Sequence, residues 1–283
     1  MPALSCSTVI AAPRRLVAGV VRDGAAATEA LTRARHRYRA HVRLLVPGDE
    51  IVLRARLSPG VRLEYRSRIR TVSELGMTSD LVGGPASVLV HTTTLTDHPD
   101  GTVLRDEIRW RSPWGPLGRV ADVLRVRTLV RDLLAARAVV YRERAEILAA
   151  APVVVGAAVV RDGRVLAAQR ARPPALAGRW ELPGGRVEER ETEPAALARE
   201  LREELGADAE VGGRIGTDLP LTSADGNPMV LRMYTAALLA DSSEPKPLEH
   251  REIRWLAAPE VPTLAWVDAD RAIVADLVEL LRG

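Results

Sequence analysis

The chain has no phenylalanine, one cysteine and only 3% aromatic residues among its 283 residues. Because Cys6 stands alone, an internal disulfide and a zinc site built from cysteines are excluded, which fits a reducing cytoplasm. No apolar run approaches the length of about 18 residues that a membrane-spanning helix needs. The first residues, up to Leu16, lack a charged region ahead of a long apolar core, so we expect no secretory signal. These absences predict a soluble cytoplasmic protein that does not contact a membrane.

Length and charge predict two domains, which we place at residues 1–150 and 151–283. The net charge is +3, but the first part carries 24 arginines and 15 acids, and the second carries 16 bases and 22 acids. A basic half is typical of nucleic-acid binding. Its arginines are spread over predicted strands and helices, however, rather than clustered in the sequence. We therefore do not expect nucleic acid as a partner.

The most specific pattern in the chain begins at Gly185 and has a fixed spacing. Five residues separate Gly185 from Glu191, and seven more precede Arg199-Glu200; then follow Leu201, Glu203-Glu204 and Gly206-Ala207. A chance match to seven required identities at this spacing is roughly one in a million, given background residue frequencies. The pattern therefore indicates a shared chemistry and not a coincidence of composition.

Residues 192–206 of this pattern predict a helix with two distinct sides. Thr192 can cap its start, Pro194 is tolerated in its first turn, and Gly206 is a typical left-handed stop. Leucines at 197, 201 and 205 mark the buried side, and glutamates at 200, 203 and 204 share the other. Three carboxylates on one turn repel each other unless a cation lies among them, and oxygen ligands suit Mg²⁺ or Mn²⁺ better than zinc.

The alternative for an acidic helix is an ordinary solvated face. Here the stretch directly before the pattern, Trp180–Gly185, favours the metal site. Its two adjacent glycines allow backbone atoms to approach a metal or a phosphate without an intervening side chain.

The pattern and the preceding Trp-Glu-Leu-Pro-Gly-Gly resemble the Nudix hydrolase family and, within it, the MutT-like branch. The resemblance implies an α/β/α sandwich for residues 151–283 and a metal held by the Gly184 carbonyl with Glu200, Glu203, Glu204 and Glu249. It also implies that Glu249 or Glu200 acts as the base and that Arg199, paired with Glu191, completes the catalytic group. The implied substrate-binding residues are Arg170, Glu181, Leu182, Pro183 and Asp270. Arg170 would contact phosphate, with a salt-bridged surface arginine as the alternative, and Asp270 would bond the nucleobase.

The implied reaction is magnesium-dependent hydrolysis of a nucleoside triphosphate to a monophosphate and pyrophosphate. Leu182 and Asp270 favour (d)CTP or its 5-methyl forms, with 8-oxo-dGTP as a further candidate. Trp180 or Trp266 could stack on the base, although core positions are typical of such residues. Two other interpretations remain: hydrolysis of ADP-ribose or another nucleoside diphosphate derivative, and a ligand sensor with a degenerate Nudix domain.

Residues 1–150 predict an α+β domain. After the strand Ser5–Ile10 and a helix-prone stretch from Pro13 to Arg39, strands are predicted at Glu50–Leu57, Val61–Val72, Ala86–Thr96 and Thr102–Arg111, and a long amphipathic helix from Pro116 to Leu148. Segments 46–69 and 83–118 together with this helix resemble the START-like (SRPBCC, polyketide cyclase-type) helix-grip family, which implies a cavity for a small apolar ligand. Leu and Val stand where the family usually has Phe. For His91 no acid–base partner is readable, so we predict a strand histidine facing solvent or the cavity and no catalytic group in this half.

Overall fold

The computed structural model describes residues 1–58, 61–111 and 126–283. The predicted first turns of the long helix, at 116–125, lie outside these ranges. The chain divides into two compact units, Met1–Ala150 and Ala151–Gly283. In the described ranges, no helix is both long enough and apolar enough to cross a membrane.

The first unit is an antiparallel sheet with helices packed on one face. Its strands are β1 (Ala3–Ile10), β2 (Arg37–Ala40), β3 (Glu50–Ser58), β4 (Val61–Ser73), β5 (Gly76–Gly83), β6 (Val88–His98) and β7 (Gly101–Arg111), in the spatial order β1-β7-β6-β5-β4-β3-β2. Its helices are α1 (Arg14–Val21), α2 (Gly24–Arg33) and α3 (Arg127–Ala149). A hydrophobic core of this unit lies between α3 and β7. It contains Val130, Leu133 and Leu134 of α3, packed on Ile108 and Trp110 of β7.

Two parts of the first unit differ from the sequence prediction. The helix-prone stretch breaks at Asp23, whose side chain accepts a hydrogen bond from the Ala25 amide and so caps a second helix. Residues 37–40 then form a strand because they pair with β3. β5 was not predicted, since Gly76–Gly83 has no clear alternation; pairing with β4 and β6 on both sides determines its conformation.

A buried polar network lies between the sheet and α3, and it includes an acidic partner of His91 that was not read from the sequence. Asp106 Oδ2 accepts from Arg137 Nε at 2.7 Å, and Asp106 Oδ1 accepts from His91 Nε2 at 3.1 Å and from Thr93 Oγ1. Arg137 also donates to the Tyr141 hydroxyl at 2.6 Å. Although burial raises the pKa of Asp106, the charges of Arg137 and His91 outweigh it and hold that pKa well below its usual value.

We expect protonation of His91 to weaken the first unit in acid. Burial, followed by the charge of Arg137, lowers the pKa of His91 in the folded state. The contribution of neutral His91 to the free energy of unfolding is therefore fully present above the pKa of the unfolded state, near 6.5. Below that pH it falls by at most about 1.4 kcal/mol per pH unit, because the unfolded state binds the proton first. The unfolding midpoint of His91→Gln should be lower than wild type at pH 7.5 but should change less down to pH 5.5. Parallel pH curves for the two proteins would contradict this.

The second unit is a mixed sheet with helices packed on it. Its strands are β8 (Val153–Arg161), β9 (Arg164–Gln169), β10 (Trp180–Glu181), β11 (Gly184–Arg186), β12 (Ala209–Thr222), β13 (Pro228–Leu238) and β14 (Glu252–Ala257). The order is β10-β9-β8-β13-β12, with β11 beside β8 and β14 beside β9, and β13 runs parallel to β8. Its helices are α4 (Glu193–Leu205), α5 (Asp268–Arg271) and α6 (Val274–Leu280), with a 3-10 turn at Val261–Thr263. The C-terminal segment forms two short helices, α5 and α6, which are separated by residues 272–273.

Candidate active site

The predicted acidic helix is α4, and its two ends are formed as the sequence indicated. The Thr192 hydroxyl accepts a hydrogen bond from the Ala195 amide, and Gly206 ends the helix in the left-handed conformation at φ 64°. Leu197, Leu201 and Leu205 are buried against β8 and β13. Their burial fixes the rotation of the helix, so the glutamates between them face away from this core.

The turn at Gly184-Gly185 lies directly against α4. Gly184 has φ 150°, and a Cβ at this position would overlap the carbonyl oxygen of Val155 on β8. A Cβ on Gly185 would overlap the carboxylate of Glu200. The Gly184 amide donates to Glu204 Oε2 at 2.9 Å. The absence of a side chain at Gly184 therefore allows the turn to pack against β8, and its absence at Gly185 allows the Glu200 carboxylate to approach the turn.

Arg199 holds several of the acidic side chains in place. It donates to both carboxylate oxygens of Glu191 at 3.1 Å and to the Arg186 carbonyl at 3.0 Å, which ties the turn to α4. The predicted pairing of Glu191 with Arg199 is thus confirmed. The same guanidinium also donates to Glu200 at 2.9 Å and to Glu203 at 3.1 Å, contacts that the sequence did not reveal.

The carboxylates around this turn raise each other's pKa. Burial, with the charges of Glu181 and Glu200, raises the pKa of Glu204 to about 7. Burial also raises the pKa of Glu200, with contributions from Glu203 and Glu249. Part of this acidic charge is therefore uncompensated by protein groups, as expected where a cation binds.

The acidic side chains are not yet arranged as a complete set of ligands. In the described ranges, no three His, Cys, Asp or Glu side chains converge closely enough to hold a metal ion. Glu203 is half-exposed and turned towards Arg199, whereas Glu200 and Glu204 lie at the glycine turn. As a set of oxygen donors beside a backbone turn, these groups nevertheless fit Mg²⁺ or Mn²⁺ chemically.

His250 is a residue of this region that the sequence analysis missed. Its Nε2 donates to Glu181 Oε1 at 3.2 Å, and its buried Nδ1 has no hydrogen-bond partner among the described residues. Its charge lowers the pKa of Glu204. Its position in the sequence directly after Glu249 could have indicated it, since Glu249 belongs to the acidic group and its charge raises the pKa of Glu200.

Arg170 and Glu181 form an ion pair at the ends of β9 and β10. Arg170 Nε also donates to the Arg172 carbonyl at 3.0 Å, and its side chain is partly exposed. Of the two interpretations of Arg170, the salt-bridged arginine is the one present in this structure. Its exposure leaves the guanidinium accessible to a phosphate as well.

Asp270 lies on α5 and is buried, with 4% of its surface exposed. It accepts a hydrogen bond from the Leu182 amide, and its Oδ1 has no partner among the described residues. Burial, together with the charge of Glu181, raises its pKa well above the usual value. The raised pKa favours the protonated carboxyl group, which can donate one hydrogen bond and accept another.

The other predicted substrate residues lie in the same part of the unit. Leu182 and Pro183 are buried, and the Pro183 carbonyl accepts from the Ala157 amide at 2.9 Å. Trp180 and Trp266 are 4% and 3% exposed, and the Trp266 indole donates to the Val261 carbonyl. Both tryptophans are therefore core residues, as their residue type favoured.

Fold and site together define an α/β domain in which a helix rich in glutamate packs its acidic side against a glycine turn. The chain belongs to the NUDIX family: residues 150–277 match the NUDIX domain, and a relative that it covers over 91% of its length is 51% identical.

That relative, the putative 8-oxo-dGTP diphosphatase 2 of Mycobacterium tuberculosis, aligns over 134 residues, or 46% of this chain. The CTP pyrophosphohydrolase of Escherichia coli is 54% identical over 59 residues, which is 21% of this chain and 44% of that protein. The solution structure of the E. coli ORF135 protein is 32% identical, covers 46% of this chain and 89% of its own, and has a TM-score of 0.40.

Proposed function

We propose that residues 151–283 hydrolyse nucleoside triphosphates to a nucleoside monophosphate and pyrophosphate. The observation that carries the proposal is the approach of the Glu200 and Glu204 carboxylates to the Gly184-Gly185 turn, on the helix that bears the complete Nudix pattern. The relatives named as a diphosphatase of 8-oxo-dGTP and a pyrophosphohydrolase of CTP support this reaction class.

The residues that would hold Mg²⁺ or Mn²⁺ are Glu200, Glu203, Glu204 and Glu249, with the carbonyl of Gly184. When bound, such an ion neutralises polyphosphate charge and lowers the pKa of a coordinated water. Glu249 or Glu200 accepts the proton of the attacking water. Arg199 positions Glu200 and Glu203, and its bond to the Arg186 carbonyl keeps the turn against α4.

Substrate recognition is assigned to the neighbouring group of residues. Arg170, whose side chain is partly exposed, binds a phosphate, with Glu181 holding its orientation. The buried Asp270, whose Oδ1 has no hydrogen-bond partner among the described residues, binds the edge of a nucleobase beside the buried Leu182 and Pro183. (d)CTP, its 5-methyl forms and 8-oxo-dGTP are the candidate substrates; two relatives are named for activity on 8-oxo-dGTP and on CTP.

For residues 1–150 we propose a START-like helix-grip domain that binds a small apolar ligand. Support comes from the antiparallel sheet closed by α3 and from apolar side chains such as Leu53 and Leu89, which face this helix but remain partly exposed.

The test is a substrate panel with magnesium. (d)CTP, 5-methyl-dCTP, 8-oxo-dGTP, the four ordinary dNTPs and ADP-ribose are each incubated with the full chain; pyrophosphate and phosphate are quantified separately, and AMP is quantified for ADP-ribose, whose hydrolysis gives AMP and ribose 5-phosphate. We expect pyrophosphate with one of the first three at the highest kcat/KM. Turnover of ADP-ribose alone would replace the proposed substrate class, and no magnesium-dependent turnover of any compound would overturn the proposed reaction.

We expect Gly185→Ala to impair catalysis while leaving the fold intact. The added methyl would overlap the Glu200 carboxylate, the mobile end of a side chain, so the carboxylate is displaced and the backbone is not. We expect kcat to fall about 10- to 100-fold, as is typical when a group orienting a metal site is disturbed. Gly213→Ala is the matched control, because a Cβ at Gly213 meets no atom within 4 Å. Equal kcat for the two variants would contradict the assignment of Glu200.

A further inference from the structure

The arginines of the first unit, which are dispersed in the sequence, gather on one face of its sheet. Residues directly opposite each other on neighbouring strands have their side chains on the same face of the sheet. Between β2 and β3, Arg37 lies opposite Arg54 and Arg39 lies opposite Val52. Between β3 and β4, Val52 lies opposite Arg66 and Arg56 lies opposite Arg62. Arg68 lies on the same face opposite Glu50, and Arg70 bonds Asp80 there. The complete set, called here the arginine face, is Arg37, Arg39, Arg54, Arg56, Arg62, Arg66, Arg68 and Arg70.

This face points to solvent. All eight arginines are exposed, whereas Ala55, Ser67 and Ile69, which alternate with them along β3 and β4, are buried on the opposite side. The strict alternation of the two strands thus separates a charged surface from the core.

The acids on the arginine face leave most of its charge uncompensated. Glu64, Glu50 and Asp80 pair with Arg54, Arg68 and Arg70, respectively. The other five arginines form no ion pair within the described ranges: Arg37, Arg39, Arg56, Arg62 and Arg66. Eight positive and three negative side chains give this face a net charge of +5.

The dimensions of the face match one extended polyanion. From Arg62 to Arg70 the strand advances about 27 Å, and three neighbouring strands are about 10 Å wide. Such a stripe is long and narrow, and on β4 four of its five positions, Arg62, Arg66, Arg68 and Arg70, carry a guanidinium group, with Glu64 at the fifth. Guanidinium groups bind phosphates through two parallel hydrogen bonds and also stack on unpaired bases.

We propose that the arginine face binds single-stranded nucleic acid through its sugar–phosphate backbone. A membrane surface fits less well, because the large exposed apolar side chains of the described residues include none on β2, β3 or β4 that could insert between lipids. The face carries no exposed tryptophan or phenylalanine, so recognition is of the backbone and is independent of sequence. The sequence analysis expected no such partner, because strand pairing and not sequence proximity brings these arginines together.

The experiment measures binding of a fluorescent 12-nucleotide single strand of mixed sequence to the full chain by anisotropy, from 50 to 200 mM salt. The test variant carries Arg39→Gln, Arg62→Gln and Arg66→Gln. The matched control carries Arg127→Gln, Arg131→Gln and Arg142→Gln, three exposed arginines of α3 with the same change in net charge. Circular dichroism verifies that both variants are folded.

We expect the test variant to lose affinity about tenfold or more at 50 mM salt and its log–log salt slope to decrease by about 2, whereas the control changes less than about twofold. Equal losses in the two variants, or no binding by the wild type, would overturn the proposal. So would tighter binding of a duplex of the same length, or binding of phosphatidylserine vesicles without binding of the oligonucleotide. Pyrophosphate release should be unchanged in the test variant, so this result is independent of the proposed hydrolase activity.

Discussion

Replacement of Glu203 by glutamine is expected to lower kcat for pyrophosphate release by more than about 100-fold, since even groups that only support a metal ligand contribute about 10- to 100-fold. Glutamine keeps the size of the side chain and removes the negative charge that a divalent cation needs. Among the described residues, the half-exposed Glu203 forms an ion pair with Arg199 only, so the helix should lose less than about 1 kcal/mol of stability. Steady-state kinetics over a range of magnesium concentrations measure the effect.

The matched control for this variant is Glu210→Gln, an equally exposed glutamate on β12. It should retain wild-type kcat and the wild-type magnesium dependence. The assignment of Glu203 as a metal ligand fails if Glu203→Gln turns over at a rate near wild type. Unfolding midpoints measured in parallel separate a catalytic loss from a structural one.

Replacement of Asp106 by asparagine should destabilise the first unit by about 3–5 kcal/mol, the usual cost of leaving one member of a buried ion pair without its partner. Asp106 and Arg137 are 1% and 5% exposed, so water cannot replace the lost carboxylate. Asparagine retains the shape but cannot neutralise the guanidinium or accept all the bonds from Arg137, His91 and Thr93. Hydrogen exchange of the slowest amides in β6 and β7 reports the free energy of opening.

Two control variants test whether the loss of stability comes from the unpaired buried charge or would follow the removal of any carboxylate from this sheet. Asp80→Asn removes a carboxylate from the exposed pair with Arg70 in the same sheet and should cost less than about 1 kcal/mol. The double variant Asp106→Leu with Arg137→Met removes both charges and should be more stable than Asp106→Asn alone. A small loss in Asp106→Asn, comparable with Asp80→Asn, would mean that the network does not hold α3 on the sheet.

Helix α4 shows which structural features a short stretch of sequence determines. Its cap at Thr192, its stop at Gly206 and its buried leucines follow from residues within one or two turns of each other. The pairing of Glu191 with Arg199 spans only eight residues and was predicted as well. These features depend on hydrogen bonds and side-chain spacing that short segments determine by themselves.

Other features depend on residues far apart in the chain. β5 has a weak strand pattern and forms because strands on both sides supply its hydrogen bonds. The contact of His91 with Asp106 depends on the register of the hairpin β6–β7, in which Thr93 lies opposite Asp106. That register could have been counted from the turn at His98 and Gly101, but the contribution of Arg137 from α3 could not.

By itself, the sequence determined the family of the second unit, the acidic helix and the glycine turn before it, because fixed spacing along one helix places side chains without help from the rest of the fold. Only the tertiary structure decided that Arg199 also holds Glu200 and Glu203, that His250 joins Glu181, and that dispersed arginines form one charged face. Their neighbours arrive from other strands and helices, and the packing of the core selects the registers and rotations that bring them together.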